Sequence, residues 1–161
     1  MDSASKLIFG EHQRTLDERF RVSLPTEMSD ALTSESNDCV IVKERPGCLS
    51  LWHAKEWKEK MNAGIAVIES KFKMGKLAER TAEVQKFSRL LSSRYKEIPM
   101  AGRGRFVLPE GFRNFLNVEA GGEVVVVGAG VSVELWNPTQ WFSYLEEQTP
   151  EFQGIFDELT K

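Results

Sequence analysis

The sequence predicts an α+β fold made of two copies of one unit. Three observations carry that expectation: the chain matches itself when shifted, each copy holds a strand–turn–strand pattern, and helical stripes follow each copy. A shift of 84 positions places Arg19 on Arg103, Arg21 on Arg105, Leu24 on Leu108 and Pro25 on Pro109. It also places Leu32 on Leu116, Glu35 on Glu119, Val40 on Val124, Val42 on Val126, Leu51-Trp52 on Leu135-Trp136 and Trp57 on Trp141. These are 11 identities over the 41 ungapped positions from Asp17 to Trp57, where unrelated segments would share roughly two or three. All four tryptophans of the chain take part, so the chain is a duplication.

Each copy has the same local grammar. An extended charged segment leads to Arg-x-Arg and a short apolar strand, Val22-Ser23-Leu24 or Phe106-Val107-Leu108. Proline follows at the expected first helical position, where its missing N–H costs nothing and its fixed φ suits a helix. Short helices are predicted over Thr26 to Leu32 and over Glu110 to Leu116. A hairpin comes next: Cys39 to Lys43 turns through Glu44-Arg45-Pro46-Gly47 into Cys48 to Trp52. Its copy runs from Glu123 to Val127 through Gly128-Ala129-Gly130 into Val131 to Trp136. Parity puts Val40, Val42, Leu49 and Leu51 on one face of the first hairpin, and Val124, Val126, Val133 and Leu135 on one face of the second. The opposite faces carry Ile41, Val125, Val127, Trp52 and Trp136, so both faces of the sheet need cover. The duplication places Trp52 and Trp136 in equivalent positions about an approximate two-fold axis.

Trp57, Met61, Ile65, Ile68 and Phe72 form a helical stripe that Gly75 breaks. Leu77, Thr81, Val84, Phe87 or Ser88, and Leu91 begin a second stripe. Asn137-Pro138 and Thr149-Pro150 read as caps of two final helices, the first turning Trp141 and Leu145 inward, the second carrying Phe152, Phe156 and Leu159. Because one chain supplies little helix to cover two apolar sheet faces, a homo-oligomer larger than a dimer is expected.

Composition narrows the function classes. In 161 residues, 41% are hydrophobic and 28% charged, with 12 Gly and 6 Pro, which describes a globular chain. No apolar run approaches the roughly 18–20 residues of a membrane span, and Met1-Asp2-Ser3-Ala4-Ser5-Lys6 does not open a signal peptide. The formal charge of −3 argues against coating nucleic acid through bulk charge, while leaving room for a local basic patch. Pairing around the first turn sets Cys48 opposite Lys43, about 13 Å along the strand from Cys39 at ~3.3 Å per residue, too far for a disulfide. Free thiols are expected. His12 and His53 have no partner at metal-ligand spacing, and no cofactor site is expected.

Enzyme chemistry finds little support. Gly128-Ala129-Gly130 lacks a third glycine and leads into a strand, so it is a turn and not a dinucleotide loop. Asp17 and Glu18 are adjacent and point apart on a strand, which makes a poor acid–base pair. The repeated arginines are different. Arg19 with Arg21, and Arg103 with Arg105, sit two residues apart, so each pair projects from one strand face or one loop tip. Arg14, and in the second copy Arg94 and Lys96, add positive charge nearby. Guanidinium groups bind phosphate in a bidentate way and read guanine in the major groove. Charge guarding an edge strand is the plainer explanation for one copy; its retention in both copies favours binding.

Leu7-Ile8-Phe9-Gly10-Glu11-His12 through Leu16-Asp17-Glu18-Arg19-Phe20-Arg21-Val22-Ser23-Leu24-Pro25 resembles the opening of the MraZ family, whose members carry two SpoVT-AbrB-type repeats marked D-x-K-G-R-x-x-x-P. Leu51-Trp52 with Trp57, and Glu134-Leu135-Trp136 with Trp141, also resemble family positions, and the likeness covers nearly the whole chain. The resemblance implies a tandem swapped-hairpin (AbrB-like) β-barrel formed as an intrachain pseudo-dimer with flanking helices. The first repeat then spans 9–56, a helical linker 57–94, the second repeat 95–138 and C-terminal helices 139–161. It further implies a cytoplasmic, nucleoid-associated transcription factor, not an enzyme. Such a protein binds double-stranded DNA at promoter direct repeats of the division and cell-wall gene cluster, as a ring-shaped homo-oligomer. Carried over residue by residue, the motif arginines are Arg21 and Arg105, with Arg19 and Arg103 in place of the motif lysines. Arg14 joins them as a candidate DNA contact.

Two departures stand out. Phe20 replaces the motif glycine that Gly104 keeps, so a required positive φ would strain the first loop or change its shape. Ala101 replaces the motif aspartate that Asp17 keeps, removing a hydrogen-bond acceptor from the second loop. The 62–77 segment is also longer than the family linker. The alternative function is therefore a ring-forming structural or partner-binding protein without specific DNA recognition.

Overall fold

The computed structural model describes residues 7–34 and 36–161. The reading of Met1 to Lys6 and the match of Glu35 to Glu119 lie outside the described residues. Within them the first copy contributes β1 (Glu11–Thr15), β2 (Arg21–Ser23), α1 (Thr26–Leu32), β3 (Asp38–Arg45) and β4 (Cys48–His53). Two helices follow, α2 (Ala54–Lys73) and α3 (Thr81–Arg94). The second copy contributes β5 (Tyr95–Pro99), β6 (Arg105–Val107), α4 (Glu110–Leu116), β7 (Glu123–Gly128) and β8 (Val133–Trp136). The chain closes with α5 (Pro138–Gln148) and α6 (Phe152–Leu159). Both short helices have the predicted bounds. Their prolines, Pro25 and Pro109, stand one position earlier than expected, as N-caps.

The strands form a mixed α+β architecture with an antiparallel six-stranded sheet, ordered β1-β7-β8-β4-β3-β5, and a two-stranded ribbon of β2 with β6. The copies interleave: β1 pairs with β7, and β5 pairs with β3. No closed barrel is found among the described residues, because β1 and β5 end the sheet without pairing to each other.

The pairing is nonetheless symmetric. Ser50 lies opposite Glu134, its own counterpart 84 residues on, with Leu49 opposite Leu135 and Leu51 opposite Val133. In the ribbon Val22 lies opposite its counterpart Phe106. The Leu24 amide donates to the Gly104 carbonyl at 3.0 Å and the Leu108 amide to the Phe20 carbonyl at 2.9 Å, a pair related by the same exchange. An approximate two-fold therefore passes through both sheets. Trp52 and Trp136 sit equivalently about it, their indole N–H groups donating to Ser50 Oγ and Glu134 Oε1, each at 2.9 Å.

The main core fills the space between the ribbon and one face of the large sheet. It unites Leu16, Val22, Leu24, Phe106 and Leu108 with Leu49, Leu51, Val124, Val126, Val133 and Leu135, and α1 and α4 add Met28, Leu32, Phe112 and Leu116. Here the expected parity of the first hairpin is corrected. Cys39 and Ile41 face this core, whereas Val40 and Val42 point to the other face with Trp52. Ile41 lies opposite Leu51 and Lys43 opposite Leu49. The strand extends through Arg45, and a register shift between Lys43 and Arg45 brings Cys48 opposite Arg45, not Lys43. A run of Val-Ile-Val carries no alternation, so turn geometry alone fixes its register. Both cysteines are free and buried, and burial pushes the Cys39 thiol up to about 11 and that of Cys48 higher still.

The second face is covered by the chain's own helices, which removes the premise of the argument for a large oligomer. Ala54 and Trp57 of α2 pack on Val40 and Val42, with Met61 and Tyr95 beside them. Trp141 of α5 packs on Val125 and Trp136, joined by Val127, Tyr144 and Leu145. By contrast α3 and α6 bury no residue.

Candidate nucleic-acid interface

Each arginine motif caps a turn that feeds the ribbon. In the first, Asp17 Oδ1 accepts from the Arg19 and Arg21 amides at 2.8 and 2.9 Å, while Oδ2 accepts from Arg21 Nε at 2.7 Å. The Arg21 amide, ahead of the Arg21 guanidinium and the Arg19 amide, holds the Asp17 carboxyl below the usual carboxylate range. The turn closes through Phe20, whose amide donates to the Asp17 carbonyl at 3.0 Å with φ at 59°. Phenylalanine thus adopts the left-handed conformation that the motif glycine would adopt freely.

What holds it there is packing. The Phe20 ring lies against the main core, and the Arg113 guanidinium stacks over it at 4.2 Å, anchored by Nε on the Leu108 carbonyl at 2.9 Å. Arg113 was not legible as a loop residue from its own surroundings. The available signal was the shift: its counterpart is Ser29, and Ser29 lies against Gly104 of the second loop.

The second turn has a different shape. Arg103 and Gly104 are both left-handed, at φ 65° and 67°. The Ala101 amide donates to the Arg105 carbonyl at 2.8 Å, the counterpart of the Asp17-to-Arg21 backbone bond at 3.1 Å. With Ala101 there is no carboxylate to bind Arg105, which has no ion pair among the described residues.

The ribbon gathers the motif residues. Val22 and Phe106 point into the core, whereas Arg21, Arg105 and Val107 are exposed. Arg21 lies opposite Val107 and Arg105 opposite Ser23, so the two arginines are diagonal neighbours, roughly 7–8 Å apart by sheet geometry. Arg19 and Arg103 are exposed in the turns on either side. Arg14 is not part of this group: it lies on β1 in the larger sheet, opposite Val124, with Nη1 on the Gln13 carbonyl. Of the flanking charges, Arg94 reaches Glu44 at 3.8 Å and Lys96 lies on β5.

Other chemistry has little to work with. Among the described residues no three His, Cys, Asp or Glu side chains converge as a metal site requires. Burial keeps both thiols protonated, and buried thiols are inert. Half-buried Glu134, raised above the usual carboxylate range by that burial, is occupied by the Trp136 indole. Among the described residues no helix is long and apolar enough to cross a membrane.

The family model described as "MraZ protein, putative antitoxin-like" matches residues 95–160. A protein of Thermus thermophilus named transcriptional regulator MraZ is 30% identical over 139 residues, covering 86% of this chain and 88% of the relative. The chain belongs to the MraZ family. Proteins of the same name from Heliobacterium modesticaldum and Syntrophomonas wolfei are 28% and 27% identical over 153 residues, covering 95% of this chain and 96% of each relative. Within this MraZ chain, the turns at 17–21 and 101–105 and the ribbon between them form the exposed cationic surface that the duplication preserves.

Proposed function

We propose that this protein is a sequence-specific DNA-binding transcriptional regulator and not an enzyme. It lays the β2–β6 ribbon on double-stranded DNA, with Arg21 and Arg105 at the centre and Arg19 and Arg103 on the flanks. Arg14 contributes from β1. The observation that carries this reading is the placement of equivalent arginines from both copies on one exposed, two-fold-related ribbon face. A two-stranded ribbon fits the major groove, where arginine pairs with guanine or with phosphate. The relatives' shared name supports the regulatory role. In this reading the two repeats, 9–56 and 95–138, act as an intrachain pseudo-dimer of swapped-hairpin type. Copies assemble in a ring that engages direct repeats upstream of division and cell-wall genes.

Gel-shift titration of promoter DNA at several salt concentrations tests it. Arg21→Ala and Arg105→Ala should each weaken binding by about 1–3 kcal/mol and flatten the log–log salt slope by roughly one. Arg105→Ala should cost more, because Asp17 already neutralises part of the Arg21 charge. Thermal stability should hardly change in either variant, since exposed charges contribute little to folding. Unchanged affinity and slope in the double variant would favour the alternative, a ring-forming protein without specific DNA recognition.

A further inference from the structure

The outer face of the β2–β6 ribbon is polar except at one place. Val107 stands there with 47% of its surface exposed, while the other outward positions hold Arg21, Arg105 and the half-buried Ser23. Val107 and Ser23 are equivalent under the 84-residue shift, as are Arg21 and Arg105. Pairing sets Arg21 opposite Val107 and Arg105 opposite Ser23. The Leu24 amide donates to the Gly104 carbonyl and the Leu108 amide to the Phe20 carbonyl, and bonded pairs alternate with open ones along an antiparallel ladder. Arg21–Val107 and Arg105–Ser23 are therefore open pairs, in which Cα atoms lie about 4.5 Å apart and side chains approach most closely. The approximate two-fold relates the two arginines, but their neighbours are unlike.

We propose that Val107 determines specificity by packing on the 5-methyl group of a thymine beside the guanine that Arg21 reads. The inference rests on the DNA-binding reading above and names one further base that the ribbon tells apart. In the major groove thymine alone of the four bases presents a methyl group, and an apolar side chain is what recognises it. Arg21 is prepared for the neighbouring base. Asp17 engages its Nε at 2.7 Å and neither Nη among the described residues, so the guanidinium is held in place with its Nη donors left for guanine O6 and N7. Val107 beside it completes a surface for guanine next to thymine. Ser23, beside Arg105, offers a hydroxyl that bonds to several bases and makes no comparable apolar contact. The arginines alone would read both directions of a two-fold site equally. The difference between Val107 and Ser23 gives the ribbon a direction on DNA.

Replacing a thymine by deoxyuridine removes its methyl group and leaves its hydrogen-bonding groups in place. Gel-shift titration of the full chain on promoter duplexes, each carrying one such replacement, tests the contact. At one thymine next to a guanine, wild type should lose about fourfold in affinity, the worth of one buried methyl group. Val107→Ser should bind the unmodified duplex several-fold more weakly and lose nothing further from that replacement. Its salt slope should stay that of wild type, because no phosphate contact is removed. Serine already stands at the equivalent place in β2, so the ribbon should accept it, with far-UV circular dichroism as the folding control. Val107→Ala, a second truncation, should behave the same way. A wild type that does not bind promoter DNA would overturn the DNA-binding reading and this contact with it. Binding that no replacement weakens, or a loss that persists in both truncations, would overturn the contact alone and leave Val107 as a strand former on the surface.

Discussion

Phe20 and Gly104 occupy equivalent positions with φ of 59° and 67°, yet their surroundings are matched to opposite sizes. A Cβ on Gly104 would lie 2.6 Å from Ser29 Cβ and 3.3 Å from the Leu24 carbonyl. At the equivalent place in the first loop a phenyl ring is accepted because Arg113, the counterpart of Ser29, stacks on it. Gly104→Ala should therefore destabilise the protein by about 2–4 kcal/mol in urea unfolding, combining left-handed strain with overpacking. Adding Ser29→Gly should recover part of that loss, since it removes the atom in the way. Asp17 supplies a pH-dependent counterpart. Its native pKa lies below the ordinary 3.8, so its hold on the turn is complete above that value and fades as pH falls through the lower native one. The Arg19 and Arg21 amide resonances should move in that acidic window, and Asp17→Asn should abolish the movement.

At the level of elements, legibility followed the strength of local signals. Pro25 and Pro109 fixed the starts of α1 and α4, and Asn137 fixed that of α5, where its side chain accepts from the Thr139 amide at 2.9 Å. Asn137 Nδ2 also donates to the Asn117 carbonyl at 2.8 Å, tying α5 to the end of α4. Asn137→Ala should cost about 1–2 kcal/mol of thermal stability, the loss of a cap with its second hydrogen bond. The register of β3 was not legible. Cys39 and Ile41 correspond to Val124 and Val126, and Val40 and Val42 to Val125 and Val127, an offset of 85 where the flanks keep 84. Valine recurs at both offsets, so identity could not tell them apart. Only the strand pairing at the hairpin shows the extra residue. The arginine motifs were legible because they repeat. Their arrival on one ribbon was not, since it depends on pairing across 84 residues of chain.

At the scale of the whole molecule, neither copy owns its core. β1 completes its hydrogen bonding on β7 and β5 on β3, while the ribbon takes one strand from each copy. The main core likewise draws Met28 and Leu32 from one half and Phe112 and Leu116 from the other. A cut in the turn after α2, where Gly75 has φ of 75° and its added Cβ would meet nothing within 4 Å, severs no strand or helix. It nonetheless separates every cross-copy pair. An isolated half keeps its hairpin, but a two-stranded hairpin is marginal in water at best, and a lone half exposes the face that its partner buries. Fragments 1–75 and 76–161 should therefore each lack a cooperative urea transition at low micromolar concentration. Mixed in equal amounts, they should recover the near-UV dichroism of Trp52, Trp57, Trp136 and Trp141, with a midpoint that rises with concentration as a two-chain equilibrium requires. A fragment that unfolds cooperatively as a monomer would show that one copy closes its own core, and the interleaved pairing would then not be what holds the fold.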